Sequence, residues 1–329
     1  MKTKVLYVLV SNNNDIFLEQ TIISISSLRK TNDQVHVSVL MDDLTFKSLV
    51  SVRSKLKDMI DETIVLDLPH EYTNKEKSRI LKTNMRNYVK GDFLFIDSDT
   101  IILSDLSEID CLNCDFAAVY ERNRPVSIDY GRASYKEALV RFECELSDKD
   151  EYYNSGVMYV KDNEVTRNFF NDWHNEWLRG KNLGIYFDQP SLGVVNQKYK
   201  NYIKPLDGVW NCQGRYCLNY IYKAKIFHYL FDSSFSFPLM YKDLFIGLKE
   251  TGELSEELKN IIDNPFCYIS SNNEILTGDD VKRFHSRMYS FIRLLDNKFP
   301  FIYNIIETLL NSIYGFVLKC KKRNLAPPR

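Results

Sequence analysis

The sequence predicts an α/β fold in which helices cover both faces of a mainly parallel, Rossmann-like sheet. Short apolar runs of the kind found in β-strands recur along the chain, and segments with helical spacing separate the early runs. Strands that alternate with helices form right-handed βαβ units, which make the sheet parallel. The predicted strands cover residues 5–10, 35–40, 63–66, 93–96, 116–120 and 157–160.

The elements between these runs follow from local pattern. Residues 16–28 and 45–59 have the mixed apolar spacing of helices. A further helix over 74–89 is predicted because Thr73 and Glu76 have the spacing of a capping box. The polar segment 121–150 is either a binding lid or a variable surface insertion. Beyond residue 238 the strand pattern gives way to helices, so we predict one domain over 1–238 and a mostly helical extension over 239–329.

Composition excludes several classes of protein. Apolar residues make up 44% and charged residues 26% of the chain, which is typical of a globular protein and not of a disordered one. The first predicted strand is followed by Ser11-Asn12-Asn13-Asn14-Asp15, without a glycine. P-loop enzymes and dinucleotide oxidoreductases need glycines there so that the backbone can approach phosphate. Any phosphate must therefore be bound by side chains or by a metal.

The C-terminal residues differ in charge from the rest. Residues 281–329 contain ten Lys or Arg and two Asp or Glu, although the whole chain has a net charge of −1. Residues 299–318 are apolar, but Asn304, Glu307 and Asn311 form one polar face, as in a helix that lies in a membrane interface. With the following cations, this predicts binding to the inner membrane surface through the tail. The alternative is a helix packed on its own domain with a solvated tail.

Two further expectations concern location and partners. The N-terminal apolar run is too short for a secretory signal. The one CxxC pair among the seven cysteines, Cys111 and Cys114, lacks a second pair or His partners at zinc spacing. We therefore expect a cytoplasmic protein, peripheral on the inner face of the membrane. We expect no nucleic-acid partner, because no aromatic or Arg-rich readout element accompanies the basic tail.

The strongest chemical signal is Asp97-Ser98-Asp99, which directly follows the apolar run at 93–96. Two carboxylates at the carboxyl end of a strand can face one pocket, and hard divalent cations prefer such oxygen ligands. A cation bound there would neutralise a diphosphate. The alternative is that these carboxylates only cap a turn.

The predicted helix before this motif carries a row of cations. Arg79, Lys82 and Arg86 lie at i, i+3 and i+7, on one face of the helix. Such a row is usually a solvated face. Here the helix leads directly into the acidic strand end, so the cations and a metal are placed to converge on one anion.

Residues 78–100, SRILKTNMRNYVKGDFLFIDSDT, resemble the core of the family 8 glycosyltransferases, and the resemblance extends over about residues 3–235. It implies a nucleotide-sugar-binding domain of the GT-A fold and Mn²⁺ (or Mg²⁺) held by Asp97 and Asp99. Arg79 or Lys82 would contact the donor, together with Ser98. Uridine is the implied base, and its nearest residues would be Val10, Ser11, Asn12 and Asn13.

Later segments resemble further motifs of that family in the same order. Asn154, followed by Ser155 and Gly156, resembles an Asn-x-Gly strand near the transferring sugar. Asp188 and Gln189 resemble the pair that holds the hydroxyls of the donor sugar and faces its anomeric carbon. By itself, Asp188 could equally cap the helix that follows. Trp210-Asn211 resembles the Trp-Asn on the acceptor side of the family's site.

His228 resembles the family's third metal ligand, although a lone histidine is more often structural. In the family, a Gly and a Lys that touch the diphosphate commonly follow this histidine. Here Tyr229 and Leu230 follow it, which leaves Arg79 and Lys82 to bind the diphosphate.

The resemblance implies a metal-dependent hexosyltransferase. It would move galactose or glucose from a UDP-sugar donor to a glycan or glycolipid acceptor with retention of configuration, in the synthesis of cell-surface polysaccharide such as lipopolysaccharide. One alternative is a sugar nucleotidyltransferase, although such enzymes usually have a Gly-rich phosphate loop. Another is a catalytically silent glycan-binding protein on the same fold.

Overall fold

A computed structural model of the 329-residue chain describes residues 1–129, 132–214, 220–229, 237–265, 267–268 and 287–323. The chain forms two compact units, Met1–Asn272 and Asn273–Arg329. The boundary after residue 238, between the main domain and the helical extension, stays a prediction.

The strands of the first unit form two sheets. In the described ranges, a seven-stranded sheet has the order β3-β2-β1-β4-β7-β6-β8 and a three-stranded sheet has the order β5-β10-β9. Numbered along the chain, the strands are β1 (Lys4–Leu9), β2 (Val37–Asp42), β3 (Glu62–Leu66), β4 (Phe93–Ile96), β5 (Thr100–Ile102), β6 (Phe116–Tyr120), β7 (Tyr153–Val160), β8 (Lys204–Pro205), β9 (Cys212–Gln213) and β10 (Ile226–His228).

Helices cover the larger sheet. The capping box at Thr73 is formed, and the helix that it begins packs against the longest helix of this unit. The core around them contains buried aromatic residues such as Phe93 and Trp173. This confirms the predicted α/β fold. In chain order, the helices are α1 (Phe17–Thr31), α2 (Asp43–Ser48), α3 (Lys55–Met59), α4 (Asn74–Tyr88), α5 (Arg132–Val140), α6 (Glu164–Asn182), α7 (Asp188–Lys198), α8 (Ile246–Thr251) and α9 (Glu256–Asp263).

The order of the strands reverses next to β1. The chain runs outward from β1 through β2 to β3 and then crosses to β4 on the other side of β1, and these four strands are parallel. Ligands of open α/β sheets bind beyond the carboxyl ends of the strands at such a reversal. The segments that follow β1 and β4, including Asp97-Ser98-Asp99, lie at this point.

β7 is antiparallel to β4, with Val157 opposite Ile96. It begins at Tyr153, earlier than predicted, because the polar residues Asn154 and Ser155 are buried at the same sheet edge as the end of β4. The amide of Asp97 donates a hydrogen bond of 2.8 Å to the carbonyl oxygen of Gly156. The antiparallel pairing therefore brings two distant predicted motifs together.

The smaller sheet adds a third motif. β5 follows the acidic loop and pairs antiparallel with β10, which places His228 opposite Thr100. Asp99 and His228 are consequently neighbours, although 129 positions separate them in the chain.

The second unit contains two described helices, α10 (Arg287–Lys298) and α11 (Pro300–Arg323), which confirms that the C-terminal portion is helical. α11 covers the predicted amphipathic segment, and its apolar Phe301, Leu309 and Phe316 are exposed. No helix within the described ranges is long and apolar enough to cross a membrane.

Candidate active site

Two cavities flank the acidic loop. The first, of about 560 Å³, lies beyond β1, and we call it the β1 cavity. The second, of about 580 Å³, lies beside the start of β7, and we call it the β7 cavity. Arg79, Asp97 and Asp99 line both cavities. A ligand that occupied both would therefore pass these three side chains.

Asp97, Asp99 and His228 form a cluster with the chemistry of a metal site. Their ligand atoms lie within 4.8 Å of one another, and His228 Nε2 is 3.1 Å from Asp99 Oδ1. Burial, opposed by Lys82 and reinforced by Asp99, raises the pKa of the Asp97 carboxyl above its usual value. Two adjacent carboxylates with an imidazole suit a divalent cation, which would stabilise their ionised forms. The residues therefore fit Mn²⁺ or Mg²⁺.

Arg79 and Lys82 make different contacts, although both lie on α4. Lys82 Nζ is 3.0 Å from both carboxylate oxygens of Asp97 and 3.5 Å from Asp188, and the lysine is almost fully buried. Arg79 Nε lies 2.9 Å from Asp188 Oδ1, and a quarter of its side chain is exposed. Arg79 thus lines both cavities and is partly exposed, whereas the buried Lys82 lines only the β7 cavity.

Arg86 does not join these two cations. Its guanidinium is buried, lies over the ring of Phe93, and donates hydrogen bonds to the carbonyl oxygens of Val89 and Gly91. The expectation that the row of three cations converges on one anion is therefore wrong for Arg86. Arg86 lies seven positions beyond Arg79, a displacement of almost two turns, and it reaches carbonyl groups just beyond the end of α4.

Asp188 is the first residue of α7, and Phe187, not Asp188, occupies the N-cap position. It is buried between Arg79 and Lys82 and accepts a hydrogen bond of 2.7 Å from the Ser155 hydroxyl. Although burial acts in the opposite direction, these two cations and Ser155 hold the pKa of Asp188 well below its usual value. The carboxylate is thus ionised and fully engaged in the free protein.

Asn154 and Gln189 both line the β7 cavity, together with Glu121, which sequence analysis did not single out. Asn154 Nδ2 donates a hydrogen bond of 2.7 Å to Glu121 Oε2. Burial, opposed by the hydrogen bonds from Asn154 and Gln189, raises the pKa of Glu121. Glu121 directly follows β6, whose carboxyl end lies at the same sheet edge as that of β4, and this position is the signal that could have identified it.

Gly156 lies against the ring of His228. A Cβ at this position would clash with the His228 ring and would stand 2.9 Å from Asn154 Oδ1. The close approach that requires glycine is therefore to a side chain of the protein. Asn211, from the Trp-Asn pair, is fully buried behind this ring, with its Oδ1 2.9 Å from His228 Nδ1.

The residues after β1 divide into two groups. Val10 lines the β1 cavity with Phe17, and Ser98 lines it from the acidic loop. Ser11 is buried and donates a hydrogen bond of 2.7 Å to Asp15, while Asn12 and Asn13 are exposed. Of the residues predicted near the base, the structure thus brings Val10 into the cavity wall and places Ser11 to Asn13 in the adjoining turn.

The segment 121–150 contributes to the site. Ser134, Tyr135 and Ala138 of α5 line the β7 cavity, as does Arg122 at the start of the segment. Of the two alternatives for this segment, the structure favours a role in binding.

Comparisons with known proteins agree with this geometry. The sequence model of glycosyl transferase family 8 matches residues 8–231, about two thirds of the chain. This range contains both cavities and all three members of the candidate metal cluster. No curated protein sequence matches the chain significantly.

The chain is similar to several solved structures at low sequence identity. A galactosyltransferase, LgtC, solved with donor and acceptor sugar analogs, is 14% identical with a TM-score of 0.51, and the match covers 78% of this chain and 99% of that one. Mouse xyloside xylosyltransferase 1 is 13% identical with a TM-score of 0.48, over 69% of this chain and 97% of that one. The glycosyltransferase GlyE of Streptococcus pneumoniae is 17% identical with a TM-score of 0.46, over 70% and 55%.

Proposed function

Because this chain belongs to glycosyltransferase family 8 and is a glycosyltransferase, we propose that it moves a hexose from a UDP-sugar to a glycan or glycolipid acceptor, with Mn²⁺ or Mg²⁺ bound by Asp97, Asp99 and His228. The observation that carries this proposal is the position of the three ligands between two cavities of similar size. A diphosphate is the part of a nucleotide sugar that a cation at such a boundary would bind.

The donor is placed across both cavities. The uridine occupies the β1 cavity beside Val10, near Ser11, Asn12 and Asn13. The hexose, galactose or glucose, occupies the β7 cavity, where Asn154 and Gln189 face it. We assign the catalytic domain to residues 1–238, with 239–329 as its helical extension.

Arg79 is the cation that contacts the diphosphate in this proposal. It lines both cavities and is partly exposed, so its guanidinium can move from Asp188 to a phosphate oxygen. Lys82 is buried and holds Asp97 through both oxygens, so its role is to orient that carboxylate. When bound, the metal would stabilise the charge that develops on the departing diphosphate.

We expect retention of configuration, because the resemblance to the family implies it. Lys82 and Ser155 still contact Asp188 when Arg79 turns to the diphosphate, which makes this carboxylate a weak nucleophile, and the amide of Gln189 is also a weak one. The acceptor hydroxyl would therefore attack from the face that UDP leaves. The bond from the anomeric carbon to the β-phosphate oxygen breaks, the bond to the acceptor oxygen forms, and the acceptor proton passes to the departing phosphate.

The acceptor is proposed to be a membrane-associated precursor of cell-surface polysaccharide, such as lipopolysaccharide, reached at the inner face of the cytoplasmic membrane. The exposed apolar residues of α11 and the basic composition of residues 281–329 support this location. Co-sedimentation with anionic and with neutral lipid vesicles tests it. We expect the chain to bind the anionic vesicles alone. Failure to bind either kind of vesicle would contradict the proposed location.

The decisive experiment measures UDP release from a panel of UDP-sugars by the purified full chain, with Mn²⁺, with Mg²⁺ and with EDTA. We expect metal-dependent hydrolysis of one UDP-hexose, lost in Asp99→Ala. Release of pyrophosphate from a sugar phosphate and UTP would instead indicate a nucleotidyltransferase. Failure to bind UDP with Mn²⁺ by calorimetry, together with binding of a glycan, would indicate a silent binding protein.

A further inference from the structure

A continuous row of hydrogen-bonded side chains connects the β7 cavity with the candidate metal site. It begins at Glu121, which accepts a bond of 2.7 Å from Asn154 Nδ2. Asn211 Nδ2 donates a bond of 2.9 Å to Asn154 Oδ1, and Asn211 Oδ1 lies 2.9 Å from His228 Nδ1. His228 Nε2 then faces Asp99 Oδ1 at 3.1 Å. Asn211 is fully buried and Asn154 and His228 almost so.

The direction of the bonds from Glu121 to His228 Nδ1 is fixed by one backbone group. The amide N–H of Gly156 donates to Asn154 Oδ1 at 2.9 Å, and a backbone N–H can only donate. The Asn154 oxygen must therefore face Gly156 and Asn211, and its NH₂ group must face Glu121. Since Asn154 Oδ1 accepts, Asn211 must present its own NH₂ group to it. The remaining oxygen of Asn211 then faces His228, so Nδ1 of the ring meets only an acceptor.

We propose that Asn211 is a positioning residue that keeps the proton on His228 Nδ1 and thereby leaves Nε2 for the metal. This inference rests on the metal site of the proposed function. The partner of the second ring nitrogen sets the tautomer and the orientation of a metal-ligating histidine, and its loss typically weakens metal binding. Glu121 lies at the other end of the row, so the orientations of the Asn154 and Asn211 amides connect the β7 cavity with the metal site.

Two substitutions separate positioning from packing. Asn211→Leu is similar in size but offers His228 no acceptor. Asn211→Asp keeps an acceptor for Nδ1–H but cannot donate to Asn154. Asn196→Leu is the matched control, because Asn196 is an equally buried asparagine whose bonds go to Glu151, Asn201 and Ile203.

The first readout is the affinity of each purified full-length variant for Mn²⁺, from the electron paramagnetic resonance signal of the free ion. We expect Asn211→Leu to bind Mn²⁺ about 10–100-fold more weakly than wild type, and Asn211→Asp to stay within about threefold of it. Asn196→Leu should bind Mn²⁺ as wild type does, even where its thermal stability falls. A folded Asn211→Leu protein with wild-type affinity for Mn²⁺ would overturn the proposal. So would a loss of affinity in Asn211→Asp and Asn196→Leu as large as the loss in Asn211→Leu.

The second readout does not depend on a metal. With ¹⁵N-labelled histidine, the five His side chains give separate signals, and a His228→Gln sample identifies that of His228. In the metal-free wild type we expect Nδ1 of His228 to carry a proton, because Asn211 Oδ1 faces it, and we expect Asn211→Leu to keep a proton only on Nε2, which faces Asp99. A wild-type Nδ1 without a proton would overturn the inference. If wild type shows this proton but binds no Mn²⁺, the metal assignment of the proposed function fails instead.

Discussion

The ammonium nitrogen of Lys82 lies 3.0 Å from each carboxylate oxygen of Asp97. Lys82 is almost fully buried, and Asp97 is 28% exposed toward the two cavities. The buried lysine therefore neutralises a carboxylate whose exposed part faces the proposed metal. Stability without a metal and affinity for a metal are consequently linked through this pair.

Replacing Lys82 by Met should destabilise the metal-free protein by about 2 kcal/mol, below the range for fully buried pairs because Asp97 is partly exposed. Mn²⁺ should then stabilise the variant more than wild type, since it restores a positive charge next to Asp97. Chemical denaturation with and without Mn²⁺ measures both. Lys77→Met is the matched control, because Lys77 forms a buried ion pair of 3.1 Å with Asp42, and neither residue lines either cavity. If Mn²⁺ restored the stability of Lys77→Met as well as that of Lys82→Met, the link between Lys82 and the metal would be wrong.

Replacing Arg79 by Ala should lower kcat/KM for the donor by about 10²–10³, because a cation aimed at the leaving diphosphate is lost. Arg79→Lys should keep part of the activity, since it keeps the charge but not the planar group. Steady-state release of UDP gives these values. Lys82→Met provides the contrast, because it should act mainly through affinity for the metal. If saturating Mn²⁺ restored Arg79→Ala to wild-type kcat/KM, the assignment of Arg79 to the diphosphate would be wrong.

Gly156→Ala should destabilise the protein by about 1–3 kcal/mol, because the new Cβ meets the ring of His228 in a packed interior. The displaced ring should also bind Mn²⁺ more weakly. Gly247→Ala is a suitable control, since nothing lies within 4 Å of its added Cβ and it lies in α8. That change should raise stability by about 0.5–1 kcal/mol. Urea unfolding tests both, and a neutral Gly156→Ala would refute the predicted clash.

Glu121→Gln should change how stability depends on pH. Burial raises the pKa of Glu121 in the folded protein, so its stabilising contribution is complete below the unfolded value of about 4.3 and is lost as pH rises through the folded value. Gln cannot ionise, so the variant should gain stability relative to wild type between acidic and neutral pH. Unfolding free energies of both proteins at several pH values measure this difference. A difference that is constant with pH would exclude an unusual ionisation of Glu121.

The sequence predicted the parts of the fold that depend on local pattern. The apolar runs that became β1, β2, β4 and β6 are near-continuous, because both faces of the sheet are covered there, and such runs can be recognised without knowledge of the neighbouring strands. The start of β7 was predicted too late because Asn154 and Ser155 are polar residues that become buried only through contacts across the site. The capping box at Thr73 is local and was predicted correctly.

The candidate site was predicted as far as spacing and resemblance extend. Asp97 and Asp99 follow a strand directly, whereas the contact between Asp99 and His228 depends on a pairing of β5 with β10 that spacing does not reveal. The direction of Arg86 could not be inferred from its helix face, because the carbonyl groups it binds lie beyond the end of α4. Glu121 was not recognised as a member of the site, and Asn211 was assigned to its acceptor side and not to a contact with His228. Both contacts arise from a row of hydrogen bonds among segments far apart in the chain.

The contact between Gly156 and the ring of His228 also limits how the family can diverge. A side chain at position 156 favours a smaller residue at position 228, so substitutions at the two positions are expected to occur together. A descendant that acquires alanine or serine at position 156 would tend to lose its histidine ligand afterwards. We therefore expect related chains with a larger residue at position 156 to lack the metal site and to act by another chemistry or as binding proteins.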